Sequence, residues 1–173
     1  MNILVISDSH GRPDRISEAI KLRRNLTDCI IHLGDGTSDL RFCTSCIEGI
    51  PTVSVRGNHE DALRVFASDD GSVAELMLDL DGYKLLLMHG HKLGVKGGYE
   101  RAAEYAYERG ADILMFGHTH RPLKIYLPEG SVIGNTLTER PMYIFNPGSI
   151  AERSCGVVEL LKCGVSMNHF IIE

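Results

Sequence analysis

The stretch DILMFGHTH, residues 112–120, is apolar from Ile113 to Phe116 and ends with two histidines, His118 and His120. The apolar run predicts a strand that is buried on both faces. On an extended chain, side chains two positions apart project to the same side, about 7 Å apart at the Cα atoms. His118 and His120 can therefore reach one binding site, or two metal ions roughly 4 Å apart.

The same arrangement recurs along the chain, because six short apolar runs are each followed by a compact polar segment. The runs are NILVIS, CIIHL, TVSV, KLLLM, DILMF and MYIF. The polar segments that follow them contain, in order, Asp8 and His10, Asp35, Asn58 to Glu60, His89 and His91, His118 and His120, and the turn 146–149. In open α/β sheets, residues just past the carboxyl ends of the strands line one ligand-binding crevice. The pattern therefore predicts a single functional site built from all six segments.

Helical segments separate the first strands. DRISEAIKLRRN and SDLRFCTSCIEG are each long enough for a helix, with Asp14 and Ser38 as predicted N-caps, and this alternation favours parallel strand pairing. GYERAAEYAYERG predicts a further helix that Gly110 closes. AELMLDL and YKLLLM flank Asp81 and Gly82, a pair typical of type I′ hairpins.

The chain becomes strand-rich after His120, with further predicted strands at LKIYL, SVIGNTLT, GVVELL and VSMNHFII. No internal repeat or linker interrupts the pattern. It predicts one α/β (α+β) domain over residues 1–173, with two packed sheets and helices outside them. The C-terminal strands could also supply an edge for a homo-oligomer.

Composition limits the class of protein. With 43% hydrophobic and 24% charged residues, the chain of 173 residues resembles an ordinary globular domain, and no apolar run approaches the roughly 20 residues that a membrane span needs. The opening MNILVISDSH lacks the features of a secretory signal. Five cysteines is an odd number for a disulfide framework, so a reducing, cytoplasmic location is predicted.

Charge and cysteine spacing exclude two other kinds of site. The net charge is −5, and the basic cluster of Lys21, Arg23 and Arg24 is too short to neutralise a phosphate backbone, so duplex nucleic acid is not a predicted partner. Cys43 and Cys46 form a C-x-x-C pair with no second pair to complete a zinc site. Their predicted role is to pack on one helix face.

The polar segments supply seven side chains of metal-ligand type: Asp8, His10, Asp35, Asn58, His89, His118 and His120. Carboxylate, imidazole and amide ligands without thiolate suit Mn²⁺, Fe²⁺ or Zn²⁺. Seven ligands exceed the needs of one ion, whereas two ions that share a bridging carboxylate fit the number. Such a pair clamps a phosphate and lowers the pKa of a bridging water, so that hydroxide can attack in line at neutral pH.

These motifs resemble the calcineurin-like metallophosphoesterases, whose ordered signature of D-x-H, G-D, G-N-H-D/E, H and G-H-x-H is present in full between residues 4 and 149. The short chain resembles the small YfcE-type phosphodiesterase branch. This resemblance implies a four-layer α/β/β/α sandwich of two mixed β-sheets flanked by helices. It also implies two bound divalent metal ions. Mn²⁺ is the expected metal, with Ni²⁺, Fe²⁺, Zn²⁺ or Mg²⁺ as alternatives.

The resemblance also implies a role for each motif residue. One metal would be held by Asp8, His10, Asp35 and His120, and the second by Asp35, Asn58, His89 and His118. His59 would donate a proton to the leaving oxygen, and Glu60 would orient His59.

Residues near the motifs have weaker assignments. Arg56 is predicted to steady a substrate phosphate, with a surface ion pair as the alternative, and His91 is predicted to contact substrate or water if the chain stays extended after His89. The turn 146–149 is expected to support the metal-binding loops from behind. His32 and His169 are expected to be structural.

The predicted function is metal-dependent hydrolysis of a small phosphodiester. A phosphomonoesterase of the same fold is one alternative, and a protein-binding scaffold like the retromer subunit of this branch is another. Asp35 and His59 discriminate against the scaffold, because a retired site needs neither a bridging carboxylate nor an acid. A nuclease would need a basic track that the chain lacks.

Overall fold

The computed structural model describes residues 1–63 and 73–173. In chain order its strands and helices are β1 Asn2–Ile6, α1 Pro13–Arg23, β2 Cys29–His32, α2 Thr44–Ile47, β3 Thr52–Ser54, α3 Asn58–Leu63, β4 Glu75–Leu80, β5 Tyr83–Met88, α4 Glu100–Glu108, β6 Ile113–Phe116, β7 Leu123–Leu127, β8 Val132–Ile133, β9 Thr136–Leu137, β10 Met142–Asn146, β11 Ser154–Leu161 and β12 Gly164–Ile171. Short 3₁₀ helices lie at Arg24–Leu26, Thr37–Cys43, His91–Leu93 and Ile150–Glu152.

The strands form two mixed sheets of five strands each. The first has the order β12-β11-β1-β2-β3, in which β1, β2 and β3 are parallel and β11 and β12 are antiparallel to their neighbours. The second has the order β4-β5-β6-β10-β7, in which β5, β6 and β10 are parallel and the two edge strands are antiparallel. The parallel pairing predicted from the sequence is therefore confirmed.

Alternation along β1 shows why its residues are apolar on both faces. Ile3 and Val5 point into the core between the two sheets, whereas Leu4 and Ile6 point outward and pack with Ile16 of α1. Successive side chains of a strand point to opposite faces, so an uninterrupted apolar run is what a doubly covered strand requires.

Strand β5 repeats this alternation in the second sheet. Leu85 and Leu87 join the core between the sheets, and Leu86 and Met88 pack with Ala103 of α4 on the outer face. Helix α1 thus covers one sheet and α4 the other. This arrangement confirms the four-layer α/β/β/α sandwich.

The hairpin and helix-end predictions based on glycine are correct. Asp81 and Gly82 have φ angles of 48° and 84°, as both central positions of a type I′ turn require. Gly110, just past the end of α4, has a φ of 81°, which is typical of a helix C-terminus.

The capping predictions are wrong. Helix α1 begins at Pro13, after Arg12, because proline presets the backbone for a first helical position, and Asp14 lies inside the first turn. The second predicted helix is divided into a 3₁₀ segment, in which Ser38 is an interior residue, and the four-residue α2. The N-terminus of α1 and that of the 3₁₀ segment both lack a side-chain capping hydrogen bond.

Two further segments differ in detail from their sequence pattern. SVIGNTLT is not one strand of a main sheet but a separate hairpin of β8 and β9, which turns at Gly134 with a φ of 59°. Cys43 is fully buried and Cys46 packs against the same cluster, as expected for small side chains on one face. Within residues 1–63 and 73–173, no helix combines the length and apolar character needed to cross a membrane.

Candidate metal centre

The predicted ligands lie in loops whose backbone is held in an unusual conformation. Five of the seven have positive φ angles between 45° and 66°: Asp8, His10, Asp35, His118 and His120. Residues with a Cβ atom rarely adopt this left-handed region, and the strain persists only where the surroundings enforce it, most often at functional sites. The fold therefore stores strain where it directs these side chains toward one another.

The first donor group consists of Asp8, His10 and His120, whose ligand atoms lie within 4.8 Å of one another. Nε2 of His120 lies 3.2 Å from Oδ1 of Asp8 and 3.2 Å from Nε2 of His10. The other oxygen of Asp8, Oδ2, accepts hydrogen bonds from the Ser7 hydroxyl at 2.6 Å and the His118 backbone N–H at 3.0 Å. One carboxylate oxygen is thus anchored and the other faces the imidazoles.

Oδ1 of Asp8 is a direct indication that a cation fits this group. The atom is buried and has no hydrogen-bond partner in the described part of the chain. Burial raises the pKa of this carboxyl against the lowering influence of His89 and Ser7. A buried carboxylate oxygen without a donor is costly, and a divalent cation among Asp8, His10 and His120 would satisfy it.

The second donor group consists of Asp35, Asn58, His89 and His118, and it converges on Nε2 of His89. This atom lies 3.4 Å from Oδ2 of Asp35, 3.2 Å from Oδ1 of Asn58 and 3.1 Å from Nδ1 of His118. Nδ1 of His89 lies 2.7 Å from the carbonyl oxygen of Leu33, which can only accept, so Nδ1 carries the hydrogen and Nε2 faces the site.

The pKa values of His118 and His89 shift in opposite directions. Burial, together with the charge of His89, lowers the pKa of His118 to about 4, so its ring is neutral and able to ligate at neutral pH. Burial also lowers the pKa of His89, but the hydrogen bond to Asp35 and the charge of Asp8 raise it overall. A cation and a proton therefore compete for Nε2 of His89.

Asp35 connects the two groups. It belongs to the second donor group and also to a set with His10 and His59, whose ligand atoms again lie within 4.8 Å of one another. Burial opposes its ionisation, yet the hydrogen bonds from His89 and from the His59 backbone N–H hold its pKa below the ordinary value. An ionised carboxylate between two imidazole groups is suited to bridging two cations.

His59 lies beside Asp35 and faces solvent. Its Nε2 is 3.8 Å from Oδ2 of Asp35, its ring centroid is 4.8 Å from that of His10, and 61% of its side chain is exposed. Sequence reasoning assigned His59 only the role of an acid. In the structure, His59 also lies close enough to Asp35 and His10 for the three side chains to hold one metal ion.

The structure corrects the prediction that Glu60 orients His59. Both carboxylate oxygens of Glu60 accept backbone hydrogen bonds at 2.7 to 3.0 Å. The donors are the N–H groups of Asp35, Gly36, Thr37 and Gly57. Burial alone would raise the pKa of Glu60, and these four bonds lower it instead. Glu60 therefore holds the loop that carries Asp35, which is a structural role in the same site.

Gly57 has to lack a side chain for the site to form. A Cβ atom there would lie 2.1 Å from Oδ1 and 2.6 Å from the backbone nitrogen of Asp35. These distances are far below van der Waals contact, so any other residue would displace Asp35.

Arg56 and His91 both contact Asp61. Nε of Arg56 donates to Oδ1 of Asp61, and Nε2 of His91 lies 3.0 Å from Oδ2 of the same carboxylate. The chain does not stay extended after His89, because Gly90 has a φ of 98° and a 3₁₀ turn begins at His91. The ion-pair alternative for Arg56 is therefore present, and substrate contact by either residue stays a prediction.

The turn 146–149 supports the metal-binding loops, as expected. Nδ2 of Asn146 donates to the Gly117 carbonyl at 2.8 Å, and the Ser149 hydroxyl donates to the Asp8 carbonyl at 2.8 Å. His169 stacks on Phe145 with ring centroids 4.8 Å apart, in keeping with a structural role.

Asp39 is a supporting residue that sequence reasoning missed. It accepts hydrogen bonds from the Ser9 hydroxyl at 2.5 Å and the Gly11 N–H at 2.9 Å, and so fixes the loop that carries His10. Its partners lie about 30 positions away and follow no local spacing rule, so the signature held no signal for it.

Comparison with known proteins agrees with this geometry. The family model for the calcineurin-like phosphoesterase superfamily domain matches residues 1–162. The chain is 34% identical over 150 residues to the probable metallophosphoesterase YsnB of Bacillus subtilis (strain 168). The aligned region covers 87% of this chain and 75% of that protein.

Solved structures share the fold. A predicted phosphoesterase from Streptococcus pneumoniae TIGR4 has a TM-score of 0.70 at 24% identity, covering 98% of this chain and 88% of that one. An archaeal phosphodiesterase has a TM-score of 0.66 at 19% identity, covering 98% and 100%. With the family match and the convergent donor groups, these findings identify a metal-dependent phosphoesterase, and the chain belongs to the calcineurin-like phosphoesterase superfamily.

Proposed function

We propose that this protein hydrolyses small phosphodiesters with two divalent metal ions, preferably Mn²⁺. The observation that carries the proposal is the position of Asp35 between two sets of imidazole ligands, with His59 exposed beside it. Asp8, His10, Asp35 and His120 would hold one ion, and Asp35, Asn58, His89 and His118 the other. When bound, such a pair neutralises phosphate charge and makes water a nucleophile for in-line attack at neutral pH.

The chain's own residues supply the rest of the chemistry. Oδ1 of Asp8 and Oδ2 of Asp35 face the imidazoles, while their other oxygens accept N–H groups of the neighbouring loops. The carboxylates are therefore held in place before substrate arrives, which favours catalysis by preorganisation. His59, exposed at the surface of the cluster, would deliver a proton to the departing oxygen.

The proposed substrate is a small diester, and the proposed location is the cytoplasm. All five cysteines are free thiols, as in proteins of a reducing compartment. The solved structures that share this fold include an archaeal phosphodiesterase, which is the reason for proposing a diester.

A screen of metals against substrates tests the proposal. Metal-free protein would be supplied with Mn²⁺, Ni²⁺, Fe²⁺, Mg²⁺ or Zn²⁺ and assayed on matched aryl phosphomonoesters and phosphodiesters and on cyclic nucleotides. We expect the diester to be preferred with the best metal. A monoester preferred by about tenfold or more in kcat/KM would establish the phosphatase alternative. No metal-dependent hydrolysis of any ester would favour the scaffold.

A further inference from the structure

One carboxylate gathers three basic side chains beside the second donor group. Nε2 of His91 lies 3.0 Å and Nζ of Lys92 lies 3.3 Å from Oδ2 of Asp61, and Nε of Arg56 donates to its Oδ1. We call Arg56, Asp61, His91 and Lys92 the Asp61 cluster. Its members come from the loop before α3, from α3 itself and from the turn after β5, so the carboxylate joins two separate parts of the chain.

The His91 ring packs directly on the predicted ligands. Its centroid is 5.5 Å from that of His89 and 6.1 Å from that of His118, and the side chain of His91 is only 17% exposed. A ring in this position limits how far His89 and His118 can rotate, since buried side chains have little free space.

Asp61 determines how the His91 ring is turned. An ionised carboxylate can only accept, so Nε2 of His91 carries the hydrogen that faces Asp61. The donor edge of His91 is thereby occupied and is not available to a phosphate oxygen. This geometry favours a role for His91 in supporting the metal ligands over the substrate contact that the sequence predicted.

We propose that Asp61 is a positioning residue: through His91 it keeps the imidazoles of His89 and His118 directed at the second ion. The inference rests on the proposed two-ion site, but it concerns metal affinity and not turnover. Partners that orient ligating histidines typically change metal affinity by about 10- to 100-fold when removed. Among the described residues, Asp61 forms no hydrogen bond or ion pair with Asp8, His10 or His120, so the affinity of the first donor group should be preserved.

Asp61→Asn is the informative substitution. An amide has the shape of a carboxylate, but only one of its two terminal atoms can accept, so it cannot accept hydrogen bonds from both Arg56 and His91. Asp112→Asn is the matched control, because Asp112 also pairs with an arginine, Arg140, and lies just before β6, at the end opposite His118. His91→Ala should reproduce Asp61→Asn if the effect passes through the ring.

Calorimetric titration of the metal-free protein with Mn²⁺ measures both ions, with His10→Ala and Asn58→Ala assigning each binding step to its donor group. We expect Asp61→Asn and His91→Ala each to weaken the second ion about 10- to 100-fold and the first less than about threefold. The double variant should be no weaker than either single one. At saturating Mn²⁺, kcat of Asp61→Asn should return close to the wild-type value.

Imidazole ¹⁵N spectra of the metal-free protein add a readout that needs no activity: wild-type His91 should carry its hydrogen on Nε2. The inference would be overturned if His91 carried its hydrogen on Nδ1, or if Asp61→Asn left the affinity for the second ion unchanged. It would also be overturned if the affinities for both ions fell equally and the melting temperature dropped. Affinities that shift as expected in a protein without esterase activity would support the inference and reject the proposed function.

Discussion

His59 is the predicted site residue most exposed to an incoming ester. It is 61% exposed, against 26% for His10 and 35% for His120, while its backbone N–H is tied to Asp35 at 2.9 Å. The backbone is thus fixed while the ring is accessible. Fixed placement with free access is what a proton donor to a leaving group needs.

We expect His59→Ala to slow hydrolysis of esters with poor alkoxide leaving groups by about 10²- to 10⁴-fold, the usual contribution of general acid catalysis. Nitrophenyl esters should lose much less, because nitrophenolate departs without a proton. The measurement is kcat for both ester types, with bound metal determined for each protein. Equal losses at unchanged metal content would contradict the acid role, and lost metal would make His59 a ligand.

Among individual residues, sequence reasoning predicted which side chains converge in the fold. The seven donor side chains follow a spacing that chemistry requires, so their convergence was predictable. Glu60 was misassigned because its partners are backbone N–H groups, which leave no mark in a side-chain pattern. Sequence reasoning missed Asp61 for a similar reason, because its contacts with Arg56 and His91 exist only in the folded chain.

At the scale of elements, the site depends on tight loops at the carboxyl ends of strands. The loop after β2 carries Asp35, and the loop after β3 lies directly against it through Gly57. The apolar strands were predictable from the composition and length of the short apolar runs. The 3₁₀ turn at His91 was not, because the left-handed Gly90 that starts it becomes evident only in the structure.

We expect Gly57→Ala to weaken metal binding by at least about tenfold, since its Cβ would fall 2.1 Å from Oδ1 of Asp35 and move a proposed bridging ligand. Gly97→Ala is the control: Gly97 also lacks a positive φ, and the nearest atom to its Cβ would be at an ordinary 3.5 Å. Metal content after dialysis against a defined Mn²⁺ concentration measures the effect. Equal metal retention by the two variants would show that the loop tolerates displacement of Asp35.

For the molecule as a whole, the sandwich buries groups that do not belong to the site. His32 at the end of β2 is fully buried, and its Nδ1 accepts the Gly34 N–H at 3.2 Å. Burial lowers the pKa of His32 to about 4, against about 6.5 in an unfolded chain. The unfolded state therefore binds this proton first as the pH falls, and stability is lost between about pH 6.5 and pH 4.

The expected consequence is a pH-dependent free energy of unfolding. Between about pH 6.5 and pH 5 the wild type should lose about 1 to 2 kcal/mol through His32 alone. His32→Asn, which keeps an acceptor near Gly34 but does not titrate, should lose that much less over the same interval, whatever its absolute stability. Urea unfolding of both metal-free proteins at the two pH values gives the difference. Identical pH dependence would show that His32 titrates normally.

The two sheets together make the site. The first sheet leads into the loops of Asp8, His10, Asp35 and Asn58, and the second into those of His89, His118 and His120. Each donor group combines residues from both sheets. Metal binding should therefore require the packed sandwich, and bound metal should stabilise it by mass action.

The central claim is that two ions act together, with Asp35 shared between them. The most direct measurement is a titration of metal-free protein with Mn²⁺ in which bound metal, by elemental analysis, and hydrolysis of a nitrophenyl diester are recorded on the same samples. We expect activity to remain low while the first ion binds and to rise as occupancy approaches two ions per chain. Full activity at one ion per chain would contradict the claim.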